Sequence, residues 1–230
     1  MSGAGPKSAI SCFTVLGSLL GSDKVFVLLL APLPGIQPQM SLQTETLRAL
    51  YGTWRIARGD AGGLAFFNYS LQGFWRSFLA AAIIFPAFVL LRGHDLMAAP
   101  DDFPVMRYMT TEVISYVIRW VAFPLVMFHI APMLDRAERY IGFITVYNWA
   151  CVIQMGVYLV ALALAALFPM LGVGGFVMIA IVATLVYSVY ITHLTLAIPV
   201  LTASAIVIAD FLLSIIIQSI GIRLAVGQLF

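Results

Sequence analysis

Long apolar runs separated by short polar breaks divide most of the chain. Five of them, 75–92, 112–134, 141–168, 172–192 and 199–222, hold few charges. At about 1.5 Å per residue, each reaches across a hydrocarbon core about 30 Å thick. The period-two pattern of a membrane β-strand is absent. The pattern therefore predicts an all-α, polytopic transmembrane bundle of about five spans. Pro100 and Pro104 fall in the first connection, Pro169 and Gly172 in the third, and Pro199 ahead of the last run. Pro86 and Pro124 lie inside runs and predict kinks.

Ahead of the first span, "LQTETLRALYGTWRIAR" (42–58) predicts an amphipathic helix. Leu47, Leu50, Tyr51 and Trp54 recur on one face, and Arg48 and Arg55 share another. Such a helix either lies in the membrane interface, arginines toward anionic headgroups, or packs on the bundle. "LAFFNYSLQGFWRSF" (64–78) follows, and its aromatic density, with Phe74 and Trp75, fits the belt at a membrane boundary. Asn68-Tyr69-Ser70 matches a glycosylation triplet on the side expected to be cytoplasmic. Residues 1–39 read differently. Their apolar stretches, 9–22 and 25–33, are too short to span and are split by Asp23 and Lys24. Composition becomes coherent from Met40, so 1–39 is expected to be a poorly structured or spurious extension, with a signal or anchor as the other readings. The expected organisation is 1–39, then an interfacial segment 40–74, then a bundle 75–224.

Composition strengthens this picture. Hydrophobic residues make up 62% of the chain and charged ones 10%, against about 45–50% and about 25% in soluble domains. A net charge of +2 with no basic tract argues against nucleic acid. Cys12 and Cys151 do not make a disulfide framework, and no cysteine–histidine cluster suggests a metal or cofactor. Arginine placement sets orientation. Arg48, Arg55, Arg58, Arg76, Arg136 and Arg139 lie on one side, and Arg92, Arg107 and Arg223 on the other. The segment after Met40 is thus expected in the cytoplasm and the C-terminus in the periplasm of a bacterial inner membrane.

Chemistry enters through a few polar residues inside the spans. "IVIADFLLSIII" (206–217) places Asp210 in the middle of an apolar helix. A charge there costs about 2.5–3.5 kcal/mol unless it turns inward to a partner. Arg119 and Gln154 fall at similar expected depth, so Asp210 is expected to pair with Arg119 near Gln154, with Glu112 one layer outward. Such a cluster is either an interhelical clamp or an ion or proton site. His129 and Asn148 predict a second polar layer toward the cytoplasm. His94, Asp101 and Asp102, in one outer loop, are the only residues that would serve an enzyme acting on lipid. No nucleophile-elbow, zincin, P-loop or dinucleotide motif occurs.

Gly73-Phe74-Trp75 stands just before the first span. In this feature and in its five closely spaced helices, 64–222 resembles the Yip-type family of five-span membrane proteins. In that family a Gly-Pro-Phe-Trp element occupies this place; here the proline is missing. The composition also resembles bacterial inner-membrane proteins of proteobacterial type. The family resemblance implies a membrane-organising or partner-recruiting role without catalysis. The expected function is accordingly non-enzymatic: interaction, assembly or membrane organisation, with the bilayer and a membrane-protein partner or second copy as contacts. The alternative is a small transporter or channel subunit using Asp210, Arg119 and Gln154.

Overall fold

A computed structural model describes residues 41–97, 99–101, 103–168 and 173–226. The expectations for 1–39 and for Asp102 lie outside the described residues. The chain runs through helices α1 (Leu42–Ala57), α2 (Leu71–Ser77), α3 (Leu79–Leu96), α4 (Val105–Met133), α5 (Tyr140–Leu167), α6 (Val173–Leu196) and α7 (Val200–Val226). Short 3-10 turns occupy Ala61–Phe66 and Ala137–Arg139, and no strand occurs among the described residues. Among the described residues, five helical segments are long and apolar enough to cross a membrane: Leu71–Leu96, Val105–Met133, Ala137–Leu167, Gly174–Leu196 and Val200–Ala225. The protein is a multi-pass membrane protein.

Most of these helices run past the apolar stretches that announce them. The second begins at Val105 instead of 112, because Arg107 and Thr110 are tolerated on the exposed side of its first turns. The first continues to Leu96. Both Pro86 and Pro124 lie within continuous helices. The phenol of Tyr140 at the start of α5 donates to the Pro124 carbonyl at 3.1 Å and ties α5 to α4.

The spans close into a ring. α3 packs on α5 and α4, α5 on α6, α6 on α7, and α7 back on α4. One end of the ring is plugged by Phe123, Met127, Phe143, Ile144 and Leu196, all nearly inaccessible. At that end Arg136 Nε donates to the Leu196 carbonyl at 3.0 Å and Arg139 reaches the Thr195 carbonyl at 3.4 Å. Two arginines that set the expected orientation therefore satisfy the last carbonyls of α6, where a helix end carries partial negative charge.

α1 is the expected amphipathic helix ahead of the spans. The face carrying Leu47, Tyr51 and Trp54 points outward, each side chain more than half exposed. The buried face is Glu45, Ala49, Gly52, Thr53 and Ile56. Gly52 sits on this face where the following turn crosses very close. A Cβ on Gly63 would sit 2.4 Å from the Gly52 carbonyl oxygen, so only glycine fits. α1 ends at Gly59, whose φ of 83° suits the left-handed position after a helix. Glu45, which no sequence pattern singles out, is buried and paired with Arg76 at 2.5 Å, and accepts from Asn68 Nδ2 at 3.1 Å. Phe74 corrects the interfacial reading. It is 9% exposed and belongs to the plug, while its neighbour Trp75 is 66% exposed as an interfacial residue would be.

Candidate functional site

The ring encloses a cavity of about 1000 Å³ between α3, α4, α5, α6 and α7. Exposed His94 and Asp95 at the end of α3, and Ala166 and Gly174 across from them, mark its open end. Tyr147, Asn148, Pro124 and Asp210 form its floor, directly above the plug. Arg119, Trp120 and Gln154 line the middle.

The cavity therefore reaches Asp210, but the expected pairing is not made. Asp210 accepts from the Tyr147 hydroxyl at 2.5 Å, and among the described residues no ion pair joins it to Arg119. Helix register explains why. α4 and α7 are antiparallel, and Gly221 faces Ser115, where an added Cβ would meet its hydroxyl at 2.6 Å. Counting from that contact, Asp210 is level with Val126, seven residues and roughly 10 Å along the axis from Arg119. Side chains also lean toward their own helix N-terminus, which in antiparallel helices moves these two further apart.

Arg119 instead donates to Gln218 Oε1 at 2.9 Å, and Gln218 Nε2 donates to Glu112 Oε1 at 2.8 Å. Glu112, 1% exposed, also faces Arg92 Nε at 3.2 Å, and Arg92 Nη1 reaches Asp95 at 2.9 Å. The upper cavity thus holds one linked network in which two guanidiniums are matched by two carboxylates. Gln154 belongs to neither group; it donates to Ser188 Oγ at 2.9 Å and ties α5 to α6. The expected cluster of Asp210, Arg119, Gln154 and Glu112 resolves into three separate arrangements, two of them on the wall of one cavity with Gln154.

The expected second layer also separates. His129 is exposed, with Nδ1 3.0 Å from the Leu125 carbonyl of its own helix. Asn148 is buried and donates to Ser77 Oγ at 2.9 Å. Three participants escaped sequence reasoning: Tyr147, Gln218 and Arg92. Gln218 sits eight residues after Asp210, two turns along the same helix, and that spacing was a usable signal. Tyr147 carried none, since tyrosines abound near membrane boundaries.

Outside the spans, α1 ends in an exposed ion pair between Arg55 and Asp60. The Arg55 guanidinium, helped by the Gly62 N–H, holds the Asp60 carboxyl below its ordinary range. Arg48 and Arg55 lie over the Phe66 ring at 6.0 and 5.3 Å. Among the described residues no group of histidine, cysteine and carboxylate side chains is arranged to hold a metal. No protein-family model, curated protein or solved structure matches the chain.

Proposed function

We propose that the protein is a small-solute carrier or channel subunit whose solute enters the cavity and reaches Asp210. The observation that carries this reading is the cavity, about 1000 Å³, open at one end and floored by an intramembrane carboxyl. Ligand sites usually measure about 300–1,000 Å³ and are mostly apolar, with a few convergent polar groups. A clamp needs no such space; a dry, sealed bundle around Asp210 would serve it better. The plug beneath Asp210 closes the cavity at that end, which suits a protein that exposes its site to one side at a time. The arginine bias supports placement in a bacterial inner membrane, with the α1 end in the cytoplasm and the cavity mouth on the far side.

Accessibility tests this reading. Ser214 lines the cavity one turn from Asp210. Ser214→Cys, with Cys12 and Cys151 changed to serine, is expected to react with a water-soluble methanethiosulfonate from one face of a sealed vesicle only. Absence of reaction from both faces would mean that solute does not reach the floor.

A second reading, a membrane-organising or partner-recruiting role, draws on the outward stripe of Leu47, Tyr51 and Trp54 beside exposed Leu71 and Trp75. It agrees with the resemblance to Yip-type proteins. Substituting Leu47 and Trp54 with serine is expected to leave Ser214→Cys labelling unchanged and to reduce co-purification of a partner in mild detergent.

A further inference from the structure

We infer that the solute is a lipophilic organic cation, its charge held by Asp210 and its apolar body by the upper wall of the cavity. This rests on the carrier reading and adds the substrate class. The electrostatics of the cavity divide by height. In the upper part Arg92 and Arg119 are matched by Glu112 and Asp95, linked through Gln218. No surplus of either sign remains there to select an anion. At the floor, Asp210 has one hydrogen-bond partner among the described residues, the neutral phenol of Tyr147, donating to Oδ2. Arg119 is roughly 10 Å away along the helix axis. The carboxyl is thus the one acidic group on the wall without a cationic neighbour among the described residues.

The surroundings suit a cation with apolar substituents. Trp120 and Tyr147 share the wall with Asp210, and aromatic faces attract cations most strongly where water is excluded. Higher up, Leu162, Ala180 and Ile181 on α5 and α6 present an apolar surface to whatever body the charge carries. A small hydrated metal ion would leave most of so large a space unfilled. An organic anion would set its charge against Asp210 and find the arginines already engaged.

Tetraphenylphosphonium is the probe. Purified protein in lipid nanodiscs is expected to bind it saturably. Asp210→Asn is expected to weaken binding by about tenfold or more, Asp210→Glu to restore most of it, and Arg107→Gln, exposed in the first turn of α4 and outside the cavity wall, to change it little. Tetraphenylborate, of similar shape and opposite charge, is expected to bind several-fold more weakly to the unsubstituted protein. Ser214→Cys supplies an independent readout. A cationic methanethiosulfonate, normalised to its rate with free thiol, is expected to react faster than an anionic one, and Asp210→Asn to abolish the difference. Equal binding of both probes, a faster anionic reagent, or unchanged phosphonium binding in Asp210→Asn overturns the cation assignment while leaving the carrier reading standing. Failure of both reagents to modify the Ser214→Cys variant overturns the two together.

Discussion

Tyr147 and Glu112 illustrate how differently two polar contacts in the same bundle can weigh. Tyr147 donates one hydrogen bond to Asp210 across α5 and α7. Such interhelical bonds in membranes contribute about 0.6 kcal/mol, rising to about 1.7. Tyr147→Phe is therefore expected to lower the melting temperature in detergent only slightly, while changing phosphonium binding by freeing Asp210. A large loss of stability with unchanged binding would mark the pair as a clamp. Glu112 is another matter. It is 1% exposed and faces both Arg92 and Gln218. Removing one partner of a buried pair strands the other charge and costs about 3–5 kcal/mol. Arg92 is partly exposed, so Glu112→Ala is expected at the lower end, about 3 kcal/mol. Pairing it with Arg92→Met should recover much of the loss in thermal melts.

The α1 hairpin depends on glycines more than on its apolar stripe. A methyl group on Gly63 would overlap the Gly52 backbone oxygen, and neither backbone can yield without opening the crossing. Overpacking of this kind costs about 1–3 kcal/mol. Gly63→Ala is expected to loosen α1 from α5 and to speed tryptic cleavage after Arg55 and Arg58. The same hairpin carries a pH dependence. The Asp60 carboxyl is held below its ordinary value by Arg55. A depressed carboxyl stabilises the folded form above its unfolded value, near pH 3.9, and that contribution disappears as the pH falls through the folded value. Acidification below about pH 4 should therefore loosen the hairpin. Asp60→Asn is expected to remove this dependence, as read from peptic cleavage of the hairpin at a series of acid pH values.

Across the bundle, the five spans among the described residues put the α1 end and the α7 end on opposite faces of the membrane. Alkaline phosphatase fused after the last residue is expected to be active, and a green fluorescent protein fused there dark. The reverse result would invert the orientation and move the cavity mouth to the cytoplasmic side. The ring arrangement also predicts that the plug residues govern access. Phe143→Ala, beneath the cavity floor, is expected to let thiol reagents reach Ser214→Cys from both faces.

Fold class, number of spans and the presence of a helix before them were legible in the sequence. Hydrocarbon imposes a one-dimensional rule: each span must be apolar for about 20 residues, and each backbone bond must close within its own helix. Such a rule can be read along a chain. The partners of Asp210, Arg119 and Gln154 could not, because they depend on rotation and register between helices far apart in sequence. Seven residues of offset between α4 and α7 put Asp210 with Tyr147 and Arg119 with Gln218. The buried face of α1 was not legible for a related reason: a backbone crossing at Gly52 and Gly63, invisible to hydrophobic periodicity, decides which side of the helix turns inward. The cavity belongs wholly to this second kind of information, since it exists only where five helices leave space between them.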